Sequence, residues 1–166
     1  MELTLQNGAS VEETLVLTFF DLANQLSKLG EEVAAGAALT TQQWLVLLQI
    51  AGDPNFPLPA HLPERSNGAG IMGSEIALAR GVSRASISVL VTQLLKRGLI
   101  RQEEEAGDRR RKRLFVTDDG RRIIDALDEA RMNANRELFT DLDPAERQVL
   151  LGALRKCLGR LWVAAA

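Results

Sequence analysis

Tyrosine is absent from the 166 residues, histidine and cysteine each occur once, and aromatic residues make up only 4% of the chain. A single cysteine, Cys157, closes no intrachain disulfide, and together with His61 it cannot supply the four soft ligands of a structural zinc site. The two fall in unrelated segments without recognisable partners for acid–base or nucleophilic chemistry. The expectation is a protein that is not an enzyme and that needs no metal or cofactor. His61, in a proline-rich stretch with Glu64 nearby, reads as a solvated side chain. Cys157 falls on the apolar side of the last helix, where burial in the core outweighs a role as redox sensor.

Long hydrophobic runs are missing as well. No apolar stretch approaches the ~20 residues needed to span a bilayer, and the first twenty residues lack a basic segment and a small-residue cleavage site. The expected location is the cytoplasm, with no membrane partner. Hydrophobic residues at 46%, charged residues at 25% and a net charge of −2 describe a globular chain. Its length suits one domain with a core, or a small domain plus a dimerising extension.

Charge is unevenly placed. Between Lys96 and Arg113 stand eight basic residues (Lys96, Arg97, Arg101, Arg109, Arg110, Arg111, Lys112 and Arg113) against Glu103, Glu104, Glu105 and Asp108, a net +4 that leaves −6 for the rest. A basic patch on an acidic chain points to a localised anionic partner whose docking orientation the remaining surface fixes by repulsion. The bland alternative is a solvated charged loop.

Apolar residues at Leu15, Phe19, Leu22, Leu26, Leu29 and Val33 follow steps of four and three, which predicts a long amphipathic helix with a narrow seam for another helix. Thr40 or Thr41 caps a second helix carrying Trp44, Leu45, Leu47, Leu48 and Ile50, with Trp44 in the core. Residues 52–73 hold four prolines and several glycines with no period, and read as a long loop and tolerated insertion. Ser74 to Arg80 is a short helix, Gly81 a turn, and Ser83 to Arg97 a second helix with Ile87, Leu90, Val91, Leu94 and Leu95 on its apolar face. Leu99–Glu104 and Lys112–Thr117 pair as a hairpin around Ala106, Gly107 and Asp108. Thr117 then opens a helix with Asp118 and Asp119 in its first turn, running to about Phe139 with Ile123, Ile124, Leu127, Ala130, Ala134 and Leu138 along one side. Asp143, Pro144 and Glu146 start the last helix, striped by Leu150, Leu154, Cys157, Leu158, Leu161 and Trp162.

A helix-turn-helix that reads DNA needs a small buried residue in its first helix, a glycine at the turn and an apolar lock in the second helix. Ala77, Gly81 and Ile87 fill these roles. Ser83, Arg84, Ala85 and Ser86 make a first turn small enough to enter a major groove, with Arg84 and the serines in reach of phosphates or base edges. Ser88, Val89 and Thr92 continue the exposed face, where Val89 suits a thymine methyl group. The wing run Asp108, Arg109, Arg110, Arg111 and Lys112 places arginines where a flanking minor groove would pass, with Asp108 orienting a neighbour.

In order and spacing, TTQQWLVLLQI, SEIALARGVSRASISVLVTQLLKRGLI and DRRRKRLFVTDDGRRI resemble consecutive signatures of the MarR family of winged helix-turn-helix transcriptional regulators. The resemblance implies a mainly α fold with a small β-hairpin wing, the winged helix-turn-helix over about 40–118 and dimerisation helices over about 10–35 and 120–163. It further implies a homodimer on a pseudo-palindromic double-stranded DNA operator, with half-sites about one helical turn, roughly 34 Å, apart. A small, often aromatic or anionic, effector would bind between the dimerising helices and the winged domain. Two residues depart from the family pattern: Arg80, where an apolar residue usually precedes the turn glycine, and Val89, where an arginine or polar residue is common. Arg80 is expected to lay its stem over the core with its head in solvent, or to reach a phosphate. The rival reading is a winged-helix adaptor for another protein, favoured by a pI near 5.5 and an uncharged recognition helix.

Overall fold

The computed structural model describes residues 8–56, 69–105 and 108–164. Among the described residues, six helices and three strands follow in the order α1 (Val11–Ala35), α2 (Thr41–Ala51), β1 (Ile71–Met72), α3 (Gly73–Arg80), α4 (Arg84–Lys96), β2 (Ile100–Glu105), β3 (Asp108–Val116), α5 (Asp118–Leu138) and α6 (Pro144–Ala164). The strands form one antiparallel sheet in the order β1-β3-β2. This is the mainly α architecture with a small β wing that the sequence implies.

Local chemistry sets most boundaries. Thr40 caps α2 in a full capping box, its hydroxyl accepting from Gln43 N while the Gln43 side chain accepts from Thr40 N. Asp143 and Glu146 do the same for α6: Asp143 Oδ1 accepts from Ala145 N and Glu146 N at 2.7 and 2.9 Å, and Glu146 Oε2 accepts from Asp143 N at 2.8 Å. Thr117 caps α5 by accepting from Gly120 N at 3.1 Å. Its own hydroxyl donates to Gly98 O at 2.7 Å, which ties the first turn of α5 to the root of β2.

The core is built around α2. Val46, Leu47, Ile76, Ile87 and Leu94 are fully buried, joined by Trp44, Leu99, Ile100, Leu114, Ile124 and Leu127. Each fully buried side chain contributes on the order of 1.5–3 kcal/mol relative to exposure. Two close approaches fix the layers. A Cβ on Gly30 of α1 would lie 2.5 Å from Thr41 Cγ2, and one on Gly120 of α5 would lie 2.1 Å from Leu99 O, so neither site has room for a side chain.

Three expectations need correction. The aperiodic stretch 52–73 ends in structure: Ile71 and Met72 pair with Leu114 and Arg113, and α3 begins at Gly73. Two residues are too few to show an alternation, and their partners lie more than forty residues downstream. The returning wing strand begins at Asp108 rather than Lys112, because the register jumps from Glu104 opposite Lys112 to Glu105 opposite Asp108 and a bulge takes up Arg109, Arg110 and Arg111. Cys157 is exposed, not buried. The reason is the setting of α6, whose described side chains, Val149 at 74% and Leu161 at 66% among them, are exposed or half-buried within the chain. His61, Glu64, Ala106 and Gly107 lie outside the described residues.

Candidate nucleic-acid interface

The turn between α3 and α4 has the geometry its residues dictate. Gly81 caps α3 in the left-handed region, at φ 63° and ψ 32°, with Gly81 N donating to Leu78 O and Val82 N to Ala77 O. Ala77 is 3% and Ile87 1% exposed, so the small residue and the lock expected for a helix-turn-helix meet in the core.

Ser83 caps α4, its Oγ accepting from Ser86 N at 3.1 Å and sharing a hydrogen bond with Ser86 Oγ at 2.8 Å. One hydroxyl hydrogen is used within this pair, which leaves one to point outward. Thr92 Oγ1 donates to Ser88 O at 2.8 Å. Ser83, Arg84, Ala85, Ser86, Ser88, Val89 and Thr92 are all exposed on this helix. No acidic side chain occurs anywhere in α4.

Beside this face stands the sheet. Arg84, Ile87, Ser88 and Val91 of α4 and Gln102, Arg111, Lys112 and Leu114 of the hairpin line one open cleft of about 490 Å³, floored by Met72, Gly73 and Ser74. Of the residues expected to meet DNA, the cleft brings together Arg84 and Ser88 of α4 with Arg111 and Lys112 of the hairpin; Ser83, Ala85, Ser86, Val89 and Thr92 do not line it. The backbones of Asp108, Arg109 and Arg110 belong to β3, while their side chains lie outside the described set.

Acidic residues on β2 organise the wing. Glu105 holds Arg111 Nε at 3.0 Å and Arg113 through its terminal nitrogen at 2.9 Å. The carboxylate beside it raises the Arg113 pKa further above its ordinary value. Glu103 and Glu104 stand opposite Arg113 and Lys112 across the ladder. The Arg101 guanidinium sits 4.6 Å from the centre of its cross-strand neighbour Phe115 and also pairs with Glu103. Glu105 and Gln102 were not singled out from the sequence. Alternation along EEE against RRKR is the only signal that could have found the first.

Arg80 ends α3 beside α2. It is half-buried, and its guanidinium donates to the exposed Gln42 Oε1 of α2 at 2.6 Å. Burial lowers its pKa from the ordinary value.

The order of these parts agrees with comparison to known proteins. The family model for the MarR family matches residues 39–111, from the end of the α1–α2 corner into the wing. Over that stretch the chain is similar to the MarR family. Among curated relatives, a Thauera aromatica protein named for transcriptional regulation of the hcr operon is 34% identical over 91 residues, 55% of each chain. Transcriptional repressor MprA of Escherichia coli is 32% identical over 91 residues, 55% of this chain and 52% of that one. The chain therefore spans about half the length of these relatives. The crystal structure of the S. aureus MepR–DNA complex superposes with a TM-score of 0.70 at 21% identity, covering 87% of this chain and 96% of that one. At that identity the likeness shows the winged-helix fold of MarR-type structures.

Proposed function

We propose that this protein is a MarR-type, sequence-specific, double-stranded DNA-binding transcriptional regulator that acts as a homodimer. The observation that carries the reading is the shared cleft: an acid-free helix with a small-residue first turn lies beside a basic strand. A recognition helix fits a major groove by its N-terminal turns, and its amide N–H groups suit phosphate. Arg84 and Ser88 then meet the groove edge, Ser86 and Val89 the bases, and Arg109 to Lys112 the neighbouring backbone or minor groove. That the fold relative MepR was crystallised in complex with DNA supports DNA as the partner.

Dimerisation is supported by α1 and α6. Leu15, Phe19, Leu22 and Leu26 form an exposed apolar stripe on α1, and α6 adds Val149, Leu151 and Leu161. Two-fold pairing of these helices would set two α4 helices on half-sites of a pseudo-palindrome. Repression is the direction supported by the name of the E. coli relative. A small aromatic or anionic effector, bound between the dimerising helices and the winged domain, would alter the separation of the reading heads.

The test is selection of bound sequences from random duplex DNA at two salt concentrations. Recovery of a palindrome, with affinity that falls as salt rises, is the expected result. Enrichment of no sequence at the lower salt would overturn the reading in favour of a winged-helix adaptor for protein.

A further inference from the structure

We propose that Arg97 is a positioning residue: it fixes the angle between the helix-turn-helix and α1, and thereby sets the half-site spacing that the dimer accepts. The second half rests on the DNA-binding reading above, whereas the first half stands on geometry alone.

Arg97 caps the C-terminus of α4 at φ −85° and ψ −2°. Its guanidinium donates from two nitrogens to two successive carbonyls, Ala38 O at 2.7 Å and Ala37 O at 2.8 Å, in the corner between α1 and α2. That corner has one defined shape. Ala38 has φ 50° and is the only non-glycine among the described residues in the left-handed region, a conformation that an L side chain disfavours. The corner N–H groups turn back into α1, with Ala37 N and Leu39 N donating to Ala34 O and Ala38 N to Ala35 O. The carbonyls of Ala37 and Ala38 accept from Arg97 across the gap. A planar guanidinium matches two adjacent acceptors, which an ammonium cannot do with fixed geometry, and its charge suits the negative end of α1. One turn earlier, Gln43 Nε2 of α2 donates to Gln93 Oε1 of α4 at 2.9 Å, a second tie at the same end.

The clasp is set far from the reading turn. The thirteen residues of α4 span about 20 Å at 1.5 Å per residue, so Arg97 and Ser83 occupy opposite ends of a lever. α2 packs against both α1 and α4, and Arg97 joins α4 directly to the end of α1. A small rotation about this joint is magnified at the N-terminus of α4. Because α1 carries the apolar stripe assigned to the dimer, the same rotation changes the separation of the two reading turns.

The test uses full-length protein with Arg97→Lys and Arg97→Ala. Spin labels go at Lys28→Cys on α1 and Leu78→Cys on α3 in a Cys157→Ser background, with labelled chains diluted into unlabelled protein. The expected result is an at least twofold broader α1–α3 distance distribution in both variants. Affinity for the selected palindrome should fall at least tenfold while affinity for a single half-site changes less than twofold, and duplexes with one base pair added or removed between half-sites should be better tolerated than by the parent. An unchanged distance distribution overturns the positioning role. Equal losses on half-site and palindrome overturn the spacing role and mark Arg97 as a stability residue only. If the parent protein binds no duplex, the DNA reading fails and the distance measurement still decides whether Arg97 holds the head.

Discussion

Arg131 of α5 reaches across to Asp53, just past the end of α2, with its guanidinium nitrogen 2.5 Å from the carboxylate Oδ2. A second nitrogen of the same guanidinium holds Asp128 at 2.7 Å. The Asp53 side chain is 8% and the Arg131 side chain 20% exposed, so this is a sheltered pair between the winged body and a long terminal helix. Burial acts to raise the Asp53 pKa, but the hydrogen bonds from Arg131 and Asn55, with the Arg131 charge, outweigh it and leave the carboxyl below its ordinary 3.8.

A depressed pKa in the folded state means that the pair stabilises the fold at neutral pH, and that this share is lost as pH falls from the ordinary value near 3.8 through the lower folded value. Asp53→Asn should cost about 1–3 kcal/mol at pH 7. The difference from the parent should shrink as pH is lowered below the carboxylate range. Urea unfolding at pH 7 and pH 3 checks both statements, and a difference that grows at low pH would refute them.

Gly81 has φ 63°, and a Cβ added there would meet nothing within 4 Å. Gly81→Ala should therefore cost only the backbone term, about 1–2 kcal/mol. Ile87→Ala opens a cavity in the core and should cost about 2–5 kcal/mol. Thermal melts of the two variants should rank in that order.

On DNA, Arg84→Ala should weaken binding to all duplexes and reduce the salt slope by about one. Val89→Ala and Ser86→Ala should instead relax the preferred base at one position, through a lost thymine-methyl contact and a lost single hydrogen bond respectively. Salt titrations and repeated sequence selection separate the two behaviours.

Leu22→Asp and Leu161→Asp place charge on the exposed stripes of α1 and α6, away from the buried core. Both should give monomers that keep the parent helical content. Sedimentation with circular dichroism is the check, and a dimer that survives both substitutions would remove these helices from the interface.

Much of this was legible in the residues. Asp143 with Pro144 and Glu146, and Thr117 with two acids, are short-range statements, and both caps form; of Thr40 and Thr41 it is Thr40 that caps α2, with Gln43 as a partner not expected from the sequence. The Ala77, Gly81 and Ile87 constellation likewise depends on spacing within a few turns. What escaped depends on distant partners. Ile71 is a strand residue because Leu114 is there to receive it, and Arg97 is a clasp because a corner 59 residues earlier turns its carbonyls outward. Cys157 shows a different limit: periodicity marks an apolar face but does not say whether the same chain covers it. Glu105 was hidden among three successive glutamates, and only the bulge after Glu104 gives it two arginines.

The bare backbone contact at Gly120 has a mechanical meaning. With Leu99 O where a side chain would stand, and Thr117 bonded to Gly98 and Leu99, the first turn of α5 and the root of the hairpin have no slack between them. Position 120 is therefore closed to every residue but glycine: a side chain there would have to push the hairpin root off the helix, and the strand that carries the arginines would shift with it.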